Sequence, residues 1–365
     1  MRKSTIWLSI SIAVLLSLGL LMVYNTTSAE ILDRSLEADT NSAFLKQLFF
    51  AFAGVLLSIL MYFFGYQKAI KFSPYILFFI TVLLALVYVP KVGLELNGAK
   101  RWLNILGFSF QPSEVAKYFI PFFFINWIVN KNDISLASFI KILCVLSIPI
   151  ILIFLEPDNG TCAIILFTLV IIFFLTKVNF KYWAIPLICA VILASTLAYN
   201  MPHVRSRIEV YLNPEKDLRG KGHQPFQSKI AAGSGQLFGK GLGASFQKLN
   251  YLPEARSDYI AAIYAEELGF IGVIFLILSY SSVAAFGFYL AMKSKDKLGF
   301  YAASCITFLI TFQAFLNLGV VSGLLPSKGT TLPFFSQGGS SLMVNLLAVG
   351  ILLSVARSEK VYEKS

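Results

Sequence analysis

Apolar residues in this chain fall into long unbroken runs, at about 5–24, 44–65, 73–90, 113–130, 138–155, 159–176, 180–198, 259–292, 298–322 and 337–356. A helix needs about 20 mostly apolar residues to cross a bilayer. The pattern therefore predicts ten spanning helices, an all-α polytopic membrane protein in a single domain over residues 1–365. A β-barrel is excluded, because its strands would alternate in hydrophobicity rather than run continuously. The stretch 259–292 is longer than one crossing needs and is expected to tilt or to begin outside the bilayer. The first run has a basic start and small residues at its end, as a leader cleaved at Ala29 would. Its apolar core from Thr5 to Tyr24 is longer than the roughly 7–15 residues of a leader's core, so it reads as the first span.

Composition agrees with this picture and adds little: 57% of residues are hydrophobic, 13% are charged and 34 are Phe. Cys144, Cys162, Cys189 and Cys305 all lie in apolar runs without metal-ligand spacing, which fits small core residues rather than a disulfide framework or a zinc site. Charge sets the orientation. With a cytoplasmic N-terminus, the inner segments hold thirteen Lys and Arg residues and the short outer loops hold five. The positive-inside rule therefore places both termini in the cytoplasm. One long outer connection, residues 199–257, carries nine basic residues against four acids. It reads either as a solvated irregular loop or as an attractor of anionic ligand near the headgroups.

Polar residues then gather where spans begin or end on the outer side. In NGAKRWLNILGFSFQPSEVAK (97–117), Trp102 suits an interfacial anchor and Ser113 suits a helix N-cap. Glu114 and Lys117 share one helix face, and a lysine inside a span is a functional candidate by default. EPDNGT (156–161) has turn chemistry, with Asp158 or Asn159 able to cap the next helix. GSGQLFGKGLG (233–243) reads as a flexible connector, or else as a backbone cradle for phosphate beside Lys240; it lacks P-loop spacing. GLLPSKGTTLPFFSQGGSSL (323–342), with Lys328, interrupts the apolar pattern as a pocket wall would. In YLPEARSDYIAAIYAEELGF (251–270), Asp258 stands at a helix start, and Ala261, Ala265 and Gly269 form a small-residue face. Glu266 is eight residues further on, about 12 Å along the helix, so the two acids form no dyad and Glu266 with Glu267 is expected to pair inside.

These five segments, in this order and across nearly the whole chain, resemble the SEDS family (shape, elongation, division and sporulation). The Ser-Lys-Gly after GLLP is closer to its division branch than to its elongation branch. The resemblance implies a peptidoglycan glycosyltransferase that polymerises lipid II at the outer face of the cytoplasmic membrane, at the division site. It also implies a class B penicillin-binding protein and other division-complex membrane proteins as partners, and no nucleic acid. The acid of LPEARSDY, Asp258, would be catalytic, and the lysine of PSEVAK, Lys117, would line the central cavity. The chain departs from the family pattern at Glu156, where glutamine is usual, at Arg256-Ser257, where His-Thr is usual, and at Gln337, where tyrosine is usual.

The chemistry fits those residues. A carboxylate such as Asp258 can take the proton of an attacking sugar hydroxyl, and cations are needed beside a departing pyrophosphate. Candidate substrate contacts are Lys100, Arg101, Glu114, Lys117, Lys240, Glu254, Arg256, Lys328, Ser336, Gly338, Gly339 and Ser340. No cofactor is evident, though a divalent cation, Mg or Mn, held partly by Asp258 would serve the same charge. Single displacement inverts the anomeric centre and needs no carboxylate pair. Two other classes compete: a flippase or transporter of an anionic lipid-linked precursor, and a non-catalytic division scaffold. A transporter would place its ionisable groups near the midplane and show internal repeats, neither of which the sequence has.

Overall fold

The computed structural model describes residues 2–34, 42–90, 92–96, 99–105, 107–131, 133–199, 209, 211, 222–249, 252, 254–326 and 329–362. Long apolar runs fold as helices because only a helix satisfies its own backbone in lipid. The helices are α1 (Arg2–Arg34), α2 (Ser42–Phe64), α3 (Tyr66–Lys71), α4 (Ser73–Leu86), α5 (Pro112–Val129), α6 (Leu136–Leu155), α7 (Asn159–Leu175), α8 (Phe180–Tyr199), α9 (His223–Ser234), α10 (Ile260–Met292), α11 (Lys297–Val321) and α12 (Gly339–Tyr362). Each of the ten expected runs lies on a helix. Six of these (α1, α2, α6, α10, α11 and α12) are long and apolar enough to cross a membrane, and α4, α7 and α8 carry shorter apolar stretches. The protein is a multi-pass helical membrane protein. Its α11 and α12 are largely enclosed, whereas α2 turns a row of Phe and Leu outward. Helix α2 lies along α12 so closely that a Cβ on Gly350 would stand 2.1 Å from the Ser58 carbonyl oxygen.

Two features fall outside the all-α expectation. Residues 93–110 form a three-stranded antiparallel sheet, β1 (Gly93–Leu96), β2 (Ala99–Ile105) and β3 (Phe108–Phe110), in the order β1-β2-β3. Leu103 faces Gly93 on one side and Phe110 on the other, and Phe108 stacks on Phe49 of α2. The sheet carries Arg101, Trp102 and Ser109 to one cavity, so Trp102 lines a pocket rather than serving only as an interfacial anchor. Helix α9 lies within the long connection, which reads from sequence as irregular. Arg205, Arg207, Lys216, Arg219 and Lys221 of that connection, and Lys328, lie outside the described residues.

Helix α10 is broken at Gly269, which sits at φ 65°, ψ −164°. The break strips partners from the carbonyls of Glu266 and Glu267 and from the amides of Phe270 and Ile271. Residues 236–241 supply them. The amides of Lys240 and Gly241 donate to the carbonyls of Glu266 and Glu267 at 3.0 Å each, and the carbonyls of Gln236 and Leu237 accept from Phe270 and Ile271 at 2.8 and 3.2 Å. Approach this close requires glycine on both sides: a Cβ on Gly269 would lie 2.3 Å from the Gly239 nitrogen, and one on Gly239 would lie 2.1 Å from the Glu267 oxygen. The glycine-rich segment is thus an ordered splice into α10, not a flexible connector, and its amides at 240 and 241 are not available to phosphate.

Candidate active site

The splice also disposes of the buried acids. Glu266 takes the Lys240 ammonium at 2.6 Å and the Ser245 hydroxyl, and Glu267 takes Lys248 at 2.9 Å and the Asn25 amide of α1. Both glutamates are fully buried, and such charges persist only when paired. Lys240, a candidate substrate contact, is therefore committed to Glu266 and does not reach the cavity that holds Asp258.

That cavity, about 610 Å³, is walled by the sheet, the start of α5, the α6–α7 turn, α11, and the segments 254–259 and 329–341. Of the expected site residues, Asp258, Lys117, Arg101, Glu114, Glu254, Gly338, Gly339 and Ser340 line it. A recess of about 340 Å³ shares Ser109, Glu254, Ser257, Gln337, Gly338 and Gly339 with it and adds Arg256 and Lys46. Lys100 stands apart, an exposed side chain 4.0 Å from Glu95.

Asp258 is half-buried, two residues before α10 begins. The backbone leading to it is held from two sides. The Gln337 amide donates to the Arg256 carbonyl (2.9 Å), the Ser336 hydroxyl to the Ser257 carbonyl (2.6 Å), and the Asn317 amide to the Asp258 carbonyl (2.9 Å). Asn317 also donates to the Thr330 carbonyl at 2.7 Å, which ties the pocket wall to the acid. Ser336 is therefore a brace behind the cavity rather than one of its lining residues.

Lys117 is buried on α5, with its ammonium 2.5 Å from Glu114 and 2.8 Å from Gln313. Two of its three N–H groups are used there, leaving one. The helix starts two residues earlier than a Ser113 cap would set it: Gln111 occupies the N-cap position with Pro112 following. The Ser113 hydroxyl instead donates to Asp158 at 3.2 Å. Asp158 caps α7 by accepting from the Thr161 amide, as its turn sequence suggests. Arg101 donates to the carbonyls of Glu156 (3.1 Å) and Pro157 (2.7 Å), clamping that turn. Glu156, just past the end of α6, is buried with neither carboxyl oxygen hydrogen-bonded among the described residues. Burial, reinforced by Asp158 and opposed by Arg101, pushes its pKa up to about 9.

Sequence reasoning missed Gln313, Asn317, Thr330, Thr331 and Lys46. A signal for the first two existed: paired amides four residues apart inside an apolar run. Cavity shape alone identifies the others. Among the described lining residues, the cations are Arg101 and Lys117 and the acids are Glu114, Asp158, Glu254 and Asp258. No cluster of three or more His, Cys, Asp or Glu suited to a metal occurs among the described residues.

Residues 6–361 match the cell cycle protein family of FtsW, RodA and SpoVE. The chain belongs to this family. It is 36% identical to the probable peptidoglycan glycosyltransferase FtsW of Trichlorobacter lovleyi, over 97% of this chain and 93% of that one. It is 36% identical to stage V sporulation protein E of Bacillus subtilis, over 94% of each. Among solved structures, a chain of a peptidoglycan synthase complex that coordinates polymerization and crosslinking superposes with a TM-score of 0.77 at 25% identity, covering 96% of this chain and 97% of that one. A mutant of the rod shape determining protein RodA of Thermus thermophilus superposes with a TM-score of 0.70 at 26% identity, covering 96% of each chain. The SEDS resemblance read from the motifs and this family membership agree.

Proposed function

We propose that this SEDS protein is a peptidoglycan glycosyltransferase that polymerises lipid II at the outer face of the cytoplasmic membrane, in septal wall synthesis. The observation that carries the reading is Asp258, a half-buried carboxylate at the wall of a polar cavity, with its backbone braced from α11 and from the 329–341 segment. Asp258 takes the proton of the acceptor sugar hydroxyl as that oxygen attacks the donor's anomeric carbon. The C–O bond to undecaprenyl pyrophosphate breaks on the opposite face, and the centre inverts. Lys117 and Arg101, which line the cavity, and Arg256 in the adjoining recess would meet the departing charge. A divalent cation, Mg or Mn, held partly by Asp258 would add positive charge beside the departing group. The FtsW of Trichlorobacter lovleyi and the stage V sporulation protein E of Bacillus subtilis stand at equal identity, and the division assignment rests on the Ser-Lys-Gly of the 323–342 segment. A class B penicillin-binding protein is the proposed partner, since a superposing chain comes from a synthase complex.

The test is polymerisation of lipid II by the purified protein together with its partner synthase. Asp258→Asn should fold normally and lose about 10²–10⁴-fold in rate, and chelation should remove activity that Mg or Mn restores. Normal glycan strands from the variant would remove Asp258 from the mechanism. Lipid translocation in proteoliposomes without polymer would support the transport reading instead.

A further inference from the structure

Residues 237–246, which include the splice into α10, expose Leu237, Phe238, Leu242 and Phe246 by 60, 79, 59 and 65% of their surfaces. An apolar cluster of that kind on an exposed loop marks a contact surface. Its near part is held in place, because the backbone of residues 236–241 is fixed to α10 by four hydrogen bonds and by the Gly239–Gly269 contact, and at its far end the Phe246 amide donates to Glu266 Oε1 at 3.4 Å.

The same bonds fix the loop's level. Before the break, residues 260–267 of α10 are all buried in protein. After it, Phe270, Ile271, Ile274, Phe275, Ile277 and Leu278 are exposed. The segment from Phe270 to Met292 has 23 residues, about 35 Å of helix, which matches one crossing. The break therefore lies at the bilayer boundary, and the Leu237 carbonyl, bonded to Ile271, sits where the lipid-facing surface begins. Between Gln236 and Gln247 the only charged residue is Lys240, and its ammonium is turned onto Glu266 at 2.6 Å. The tip is thus apolar and neutral, continuous with the lipid-facing side of α10.

We propose that residues 237–246 form a finger seated in the bilayer, with Leu237, Phe238, Leu242 and Phe246 in the headgroup–acyl boundary of the adjacent leaflet. The occupant of this surface is lipid rather than a protein partner, because the patch continues an existing lipid-facing surface and presents no free charge. The test uses a cysteine-free version of the full chain with Phe238→Cys, spin-labelled in lipid nanodiscs, and Leu242→Cys as a second site should the first not fold. Collision with oxygen is expected to exceed collision with a water-soluble nickel complex several-fold, at a depth of about 5–10 Å into the boundary. Nickel collisions that exceed those of oxygen would place the tip in water and overturn the proposal. So would a label that is wet in the lone protein and becomes protected only when the partner synthase is added.

Discussion

Single side chains in this protein do distinct work according to what they can still bond. Lys117 is both structural and exposed to the cavity, and the two roles separate by experiment. Lys117→Met leaves Glu114 buried without its cation and is expected to cost about 3 kcal/mol of stability, read as a lowered Tm. Pairing it with Glu114→Leu should recover much of that stability while polymerisation stays lost. Glu156 offers a pH readout. Its pKa in the folded protein is raised to about 9 from an ordinary value of 4.5, so the unfolded chain releases this proton well before the folded one does. The contribution to stability is full below about pH 4.5 and is lost as pH rises toward 9. Glu156→Gln should therefore gain on the wild type as pH rises from 5 to 9, by about 2 °C or more in Tm at pH 8. An equal difference at every pH would contradict this. Asp258 and Lys117 both line the cavity: Lys117 stood out because charge is rare inside the spans, and Asp258 was singled out by the SEDS resemblance. Asn317 was not read, although it stands one turn after Gln313, since amides in an apolar run look the same whether they brace an acid or pack a helix.

At the scale of elements, the ten helices were legible because continuous apolarity admits no other backbone solution in lipid. The sheet at 93–110 and α9 were not, because short polar segments owe their form to what they dock on. The glycine-rich segment shows why most sharply: a flexible linker and a loop bound by backbone contact have the same composition. What separates them is Gly269, thirty positions after Gly239. Substitution should rank the glycines. Gly269→Ala combines a left-handed backbone with a clash against main chain, and a loss of more than about 2 kcal/mol is expected. Gly239→Ala meets the same two obstacles. Gly233→Ala, inside α9 with open space around it, should instead stabilise by about 0.5–1 kcal/mol. Thermal unfolding in detergent measures all three, and a fall in Tm at Gly233 matching that at Gly269 would show that the splice is not the cause.

Over the whole molecule, the charge asymmetry of the short loops predicts the side from which the proposed substrate would be met. With both termini in the cytoplasm, a membrane-impermeant maleimide should label Lys100→Cys in intact spheroplasts, in a background lacking native cysteines. Lys295→Cys, between α10 and α11, should label only after the membrane is opened. The reverse result would turn the protein over and place the cavity on the inner side. The spliced break in α10 bears on biosynthesis as well. Hydropathy alone would let the 33-residue apolar helix settle at several heights as it leaves the insertion machinery. Residues 236–241 precede α10 in the chain and are synthesised before it. The four backbone groups left open at Gly269 can be closed only where that earlier segment waits. The splice therefore fixes the height of α10 relative to residues 236–241 independently of hydropathy, and with it the level of Asp258, two residues before the helix begins.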